Sequence, residues 1–260
     1  MLRSRLIPCL LVHNKGLVKT KKFKDPKYVG DPINAVKIFN EKEVDELMVL
    51  DIDASREGRG PNFNLIRDLA VECRMPFCYG GGVSTIEQAK QIINLGAEKV
   101  AISSAILKDL TLVKKLGAAV GVQSVVVVLD VKKKLLGGYD IYTLNGSKKY
   151  KGNFKDVVAQ LNDMGVGEIV INSIDRDGEM KGYDEDLVEI TRNLCDVPLT
   201  VLGGAGNLDD MKKLIDKYKI IGAAAGSLFV FKGKYRAVLI NYPNREEKLS
   251  ISNMPHSSII

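Results

Sequence analysis

Five aspartates and two glycine-rich clusters carry the chemistry open to this sequence. Asp51, Asp53, Asp130, Asp175 and Asp177 follow short apolar runs, where a carboxylate with a tuned pKa can give or take a proton. Asp130 closes VVVVLD and so emerges from a hydrophobic strand, with a cap or salt bridge as its competing role. Asp175 and Asp177 flank Arg176, and pairing with that guanidinium competes with proton transfer there. Gly203-Gly204-Ala205-Gly206 with Asn207, and Gly226-Ser227, suit loops whose backbone N–H groups approach an anion at a helix start. Gly80-Gly81-Gly82 and Ser103-Ser104 repeat that arrangement, which predicts two phosphate grips on opposite sides of one mouth. A second set, Arg5, Glu46, Lys99 and Glu168, stands at the starts of apolar runs. It reads equally as a buried salt-bridge layer or as a polar plug or gate on an axis.

These residues need a scaffold with many strand ends. Eight β-branched apolar runs, at 6–12, 46–50, 76–79, 99–102, 124–131, 168–172, 199–202 and 220–224, alternate with stretches of helical periodicity such as 64–73, 85–95 and 209–218. Strand–helix alternation repeated eight times predicts a parallel sheet closed into an α/β (βα)8 TIM barrel, with near-continuously apolar strands buried on both faces. The sequence also repeats itself. DELMVLDIDAS at 45–55 aligns with GEIVINSIDRD at 167–177, so that Glu46 falls on Glu168, Ile52 on Ile174 and Asp53 on Asp175, all 122 residues apart. The same offset carries Pro76 to Pro198, Gly81 to Gly203 and Gly82 to Gly204, as expected for two related half-barrels. Two insertions follow strands and so fall on the catalytic face. One is a Lys-rich loop at 15–31; the other, at 132–146, has Gly137-Gly138 as the turn of a hairpin. The barrel is expected over 1–243, with a polar, frayed C-terminal tail over 244–260.

Composition narrows the function classes. The chain has 260 residues, 45% of them hydrophobic, and 24 glycines, enough for a large core with many tight turns. No apolar run is long enough to span a membrane. The start, MLRSRLIPCLLV, reads as a first strand rather than a signal peptide, because lysines follow where cleavage would fall. Cys9, Cys73, Cys78 and Cys195 form no C-x-x-C pair, and His13 and His256 lack metal-ligand spacing. No disulfide, metal or cofactor is expected, and the chain reads as cytoplasmic. The net charge of +6 is dispersed along the chain, which argues against nucleic acid and leaves room for attraction of phosphorylated ligands.

Nine segments carry a family resemblance: IPCLLV, VGDP, DELMVLDIDAS, PFCYGGGV, GAEKVAISSA, VVVVLDVK, GVGEIVINSIDRDG, GYD and VLGGAG. Over roughly residues 1–230 the chain resembles the cyclase subunit of imidazole glycerol phosphate synthase. The resemblance implies a duplicated (βα)8 barrel paired with a glutaminase subunit. Ammonia from that partner passes a charged gate and the barrel axis to a bis-phosphate substrate, which yields imidazole glycerol phosphate and an aminoimidazole carboxamide ribotide. It further implies that Arg5, Glu46, Lys99 and Glu168 form the gate. Gly82, Ser103 and Ser104 would hold one phosphate; Asp177, Gly178, Gly204, Gly206, Gly226 and Ser227 would hold the other.

The chain departs from the family at three places. The family's acid/base pair is two aspartates; Asp130 matches one, but Leu11 stands where the other belongs, and loss of such a partner costs roughly 10²–10⁴-fold in rate. Ser103-Ser104 replaces the usual Asn-Thr, and LFVFKGKYRAVLINYP differs from the usual last helix. These departures resemble diverged paralogues found with surface-polysaccharide genes. The leading expectation is therefore an ammonia-conducting barrel that serves amidation of a sugar, with a separate amidating enzyme and weakened or lost cyclase chemistry. The histidine-pathway cyclase is the second reading, and a sugar-phosphate isomerase on a related scaffold the third.

Overall fold

The computed structural model describes residues 3–252. Eight strands form the barrel: β1 (Arg5–His13), β2 (Leu47–Asp51), β3 (Phe77–Gly80), β4 (Lys99–Ile102), β5 (Val125–Lys133), β6 (Glu168–Ser173), β7 (Leu199–Leu202) and β8 (Gly222–Ala225). Each pairs in parallel with its successor, and β8 returns to β1 with Arg5 opposite Gly222, so the sheet closes on itself. The eight expected runs match these strands to within a residue or two at each end. Successive strands are joined through α1 (Pro32–Glu41), α2 (Phe63–Glu72), α3 (Ile86–Asn94), α4 (Leu112–Val120), α5 (Phe154–Asp163), α6 (Glu185–Arg192) and α7 (Leu208–Tyr218).

Local chemistry explains the helix starts. Asp31 caps α1 ahead of Pro32 at its first position, where the missing N–H is not needed. Thr85 with Gln88 and Asn207 with Asp210 make capping boxes at α3 and α7, and these two boxes stand at the same 122-residue offset as the strands. The core has two shells. One lies between the sheet and the helices; the other lines the axis, where Ile7, Cys9, Met48, Cys78, Val126 and Val170 meet. Among the described residues no helix is long and apolar enough to cross a membrane.

Three segments differ from expectation or add to it. The 15–31 insertion is not a loop: Gly16–Lys21 and Lys24–Gly30 form an antiparallel extension of β1. Its charge hid the strand, because Lys19 and Thr20 are buried together with Leu17 and Val18. The second insertion is the expected hairpin, with Tyr139–Thr143 returning along β5 and both turn glycines at positive φ. The stretch after Pro243 does not fray over 245–252. It forms the helix Arg245–Ser252, which begins with reciprocal bonds between Asn244 and Glu247, buries Ile251 and packs against α7. The rest of the expected tail, 253–260, lies outside the described residues.

Candidate active site at the barrel mouth

The C-terminal ends of the strands surround a cavity that is open at the top, about 1140 Å3 when the adjoining solvent space is included. Of the five strand-end acids, Asp51, Asp130 and Asp177 line it. Asp53 and Asp175 do not, and they share a structural task. Asp53 accepts the Asn14 N–H at 2.9 Å, and Asp175 accepts that of Lys133 at 2.8 Å, so each pins the hairpin that leaves the preceding strand. Asp53 also bonds His13, at the end of β1, and pairs with Arg56.

Asp130 and Leu11 occupy matching depths in the mouth. Burial pushes the Asp130 carboxyl up to about 7, opposed by Asn172, whose amide donates to Oδ1 at 2.9 Å, and aided by Asp177. A carboxyl with that pKa is populated in both protonation states near neutrality, as a proton-transfer group must be. Asp130 and Asn172 stand opposite each other in the register of β5 and β6. Leu11 lines the same cavity and stands opposite Leu50 in the register of β1 and β2.

The glycine and serine clusters lie on opposite sides of the cavity. Gly82, Ser103 and Ser104 line one side; Asp177, Gly178, Gly204, Gly226 and Ser227 line the other. Ser103 Oγ is buried without a hydrogen-bond partner, and an anion in the cavity would satisfy it. Positive φ at Gly82, Gly178 and Gly204 and backbone packed against the space of an absent Cβ explain glycine at these points. Gly206 differs in placement from the other expected residues. It is not among the cavity-lining residues, and its N–H donates to Asp210 Oδ2 at 2.8 Å as part of the α7 cap.

Sequence reasoning missed three members of the polar framework around Asp177: Lys19, Asn172 and Arg236. Lys19 is buried at the cavity wall, where its ammonium donates to the Cys9 carbonyl and burial lowers its pKa. Asp177 has its pKa raised by burial, against bonds from Thr20 Oγ1 at 2.7 Å and the Phe23 N–H at 3.1 Å and the nearby charges of Lys19 and Arg236. Asn172 and Arg236 complete the set, the latter donating to Ser227 Oγ at 3.3 Å. A lysine inside the stretch LVKT was the available signal for Lys19; no sequence pattern marked Asn172 or Arg236.

At the opposite end of the barrel, Arg5, Glu46, Lys99 and Glu168 form a closed ion ring. Arg5 bonds both glutamates, and Lys99 reaches Glu46 at 2.9 Å and Glu168 at 2.8 Å. Thr200, absent from the expected set, donates to Glu168 as well. Burial works to raise the Glu168 pKa, but Arg5 and Lys99 outweigh it and hold the carboxyl at about 2. The apolar axial shell separates this ring from the mouth. Among the described residues no cluster of His, Cys, Asp and Glu could hold a metal ion.

A duplicated parallel barrel with an acid-bearing mouth and an ion ring beneath it defines a class, and the comparisons place the chain within it. The family model described as histidine biosynthesis protein matches residues 5–236. A Vibrio vulnificus protein named "Putative imidazole glycerol phosphate synthase subunit hisF3" is 59% identical over 249 residues, 95% of this chain and 96% of the relative. A Pseudomonas aeruginosa protein named "Putative imidazole glycerol phosphate synthase subunit hisF2" is 52% identical over 244 residues, 94% and 97% of the two chains. Imidazole glycerol phosphate synthase subunit HisF of Dictyoglomus thermophilum is 35% identical over 231 residues, 89% and 91% of the two chains. The chain belongs to the HisF-like cyclase family.

Proposed function

We propose that this chain is the cyclase subunit of an imidazole glycerol phosphate synthase of the histidine pathway, working with a glutaminase partner. The observation that carries the reading is the pairing of Asp130, a carboxyl with a pKa of about 7, with facing glycine–serine loops across one cavity. In this reading the two loops hold the two phosphates of an extended substrate through backbone N–H groups and the hydroxyls of Ser103, Ser104 and Ser227. Asp130 then exchanges a proton with the substrate between them, held in place by Asn172. Ammonia enters from the partner through the ring of Arg5, Glu46, Lys99 and Glu168. It follows the apolar axis, which a neutral molecule crosses more readily than an ion. The names of the relatives support this reading over sugar amidation, which none of those three names mentions, so the order of the first two expectations is reversed.

The sugar-amidation reading stays as the second because of one observation. Leu11 lines the mouth opposite Leu50, with no proton to transfer. Under it the ring and axis deliver ammonia to a separate amidating enzyme. Assay of the purified chain with the bis-phosphate cyclase substrate and ammonium salt separates the two. Steady formation of imidazole glycerol phosphate, lost in Asp130→Asn, is the expected result. Turnover lower by roughly 10²–10⁴-fold than in the Dictyoglomus relative would favour the second reading. Co-purification with a glutaminase whose activity rises on binding tests the partner.

A further inference from the structure

The segment that sets the end of this chain apart from the family's usual last helix forms a small hairpin, Phe231–Lys232 with Ala237–Val238, beyond the four-residue turn Ser227–Val230. Most of the hairpin is exposed, but Arg236 turns back onto the barrel with a φ of 51°. Its Nη2 donates to the Gly178 carbonyl at 3.2 Å and to Ser227 Oγ at 3.3 Å. The guanidinium lies over the ring of Phe231, 4.8 Å from its centroid. An arginine from outside the barrel therefore touches two residues of the second glycine–serine loop pair while its own hairpin holds it in place.

We infer that Arg236 is a phosphate-binding residue that supplies the cationic wall of this second grip and makes it select a phosphate monoester dianion. The inference rests on the phosphate reading of the mouth. A charge contrast between the two grips supports it. On the first side, the nearest acid, Asp51, is already answered by the N–H groups of Asp53 and Ala54 and by Arg59. On the second side, the Asp177 carboxyl lies beside Gly178 and would repel a dianion. The Lys19 ammonium stands at one edge, 2.7 Å from where a Cβ on Gly226 would sit, and Arg236 stands at the other. Two cations there offset the acid and leave the grip net positive.

The donor geometry agrees. Nη2 spends its two hydrogens on Gly178 and Ser227, and the guanidinium keeps three further N–H donors on Nε and Nη1. Their planar fork suits two phosphate oxygens at once. Ser227 Oγ, accepting from Arg236, is left with its own hydrogen to donate to the same phosphate.

Calorimetric titration of the intact chain with inorganic phosphate tests the assignment. Two binding steps are expected in the native chain. Arg236→Met weakens one of them on the order of 10–100-fold and leaves the other unchanged. Ser103→Ala acts on the step that Arg236→Met spares. Arg236→Asn guards against a folding artefact, because asparagine tolerates the left-handed conformation found at this position, and it gives the same loss. Arg236→Lys, which keeps the charge but not the fork, restores only part of it. If both steps survive unchanged in the Met and Asn variants, Arg236 is a strut of the hairpin and the assignment falls alone. If the native chain binds no phosphate, the phosphate reading of both grips falls and takes the assignment with it.

Discussion

In the first half-barrel Leu11 of β1 faces Leu50 of β2; in the second, Asp130 of β5 faces Asn172 of β6. Around these pairs the halves match closely. Asp53 and Asp175 pin the two hairpins, Ile52 and Ile174 donate to Val12 and Val131, and the two capping boxes start α3 and α7. Gly81 and Gly203 each lie against the strand before them, where a Cβ would meet Asp51 or Ser173 backbone. The parts that hold backbone in place are duplicated, whereas the Leu11–Leu50 and Asp130–Asn172 pairs, which line the cavity, differ. An apolar pair and a polar pair can occupy equivalent register positions because both fit between the same strands, whereas the hairpin anchors leave no such freedom.

The largest effect expected from breaking this comparison lies at the ion ring. Glu168 and Glu46 are repeat-related and both contact Arg5 and Lys99, but only Glu168 also receives Thr200. Glu168→Ala should destabilise by about 3–5 kcal/mol in chemical denaturation, and Glu46→Ala by about 1 kcal/mol less. The Glu168 pKa lies below its ordinary 4.5, at about 2, so its contribution is present above pH 4.5 and disappears as pH falls through 2. Glu168→Gln should lack that acid-dependent loss in pH-resolved melts.

Next comes Leu11→Asp, which places a carboxylate opposite Leu50 without the amide that Asp130 enjoys. It should cost about 3 kcal/mol near pH 8, and adding Leu50→Asn should recover about 1 kcal/mol in a double-mutant cycle. Equal stability of the single and double variants would show that register partners do not set the difference between the halves. Asp130→Asn should act in the opposite direction. Because the folded pKa of about 7 exceeds the ordinary 3.8, stability is fully present below pH 3.8 and lost as pH rises through 7. The amide should therefore gain about 2 kcal/mol at pH 8 and flatten that slope, while any cyclase activity disappears. The smallest effects sharpen the symmetry: Thr85→Ala and Asn207→Ala should each cost about 1 kcal/mol, equal within error in thermal melts.

The barrel was legible because its strands alternate with amphipathic helices and its halves share strand-end residues at one offset. Asp130 and the glycine loops were legible for the same reason. Lys19 was not, since a lysine in a Lys-rich insertion reads as solvated until the strand pairing of Gly16–Lys21 buries it. Asn172 escaped notice because the repeat aligns it with Leu50, an apolar residue, which disguises a polar partner as an ordinary strand position. Arg236 contacts Gly178 and Ser227 only through a hairpin whose fold no periodicity announces. Gly206 is expected at an anion from its place in the glycine run and from the family resemblance, but its N–H donates to the side chain of Asp210. The helix Arg245–Ser252 was hidden by its charge, and its docking depends on Ile251 and on the Asn244–Glu247 bonds.

That last helix bears on how the chain comes together. Tyr242 Oη donates to the Leu6 carbonyl at 2.9 Å and accepts from Asp45 N–H, while Lys248 donates to the Glu43 carbonyl. The end of the described chain thus fastens the strand that begins it, beside the seam where β1 meets β8. During synthesis β1 can find β2 early, but its other edge waits for residues some two hundred positions downstream. Until they emerge, a row of unpaired backbone groups in a β-rich segment stays available to neighbouring nascent chains. Closure of this seam joins Arg5 to Gly222 and is a long-range event late in folding.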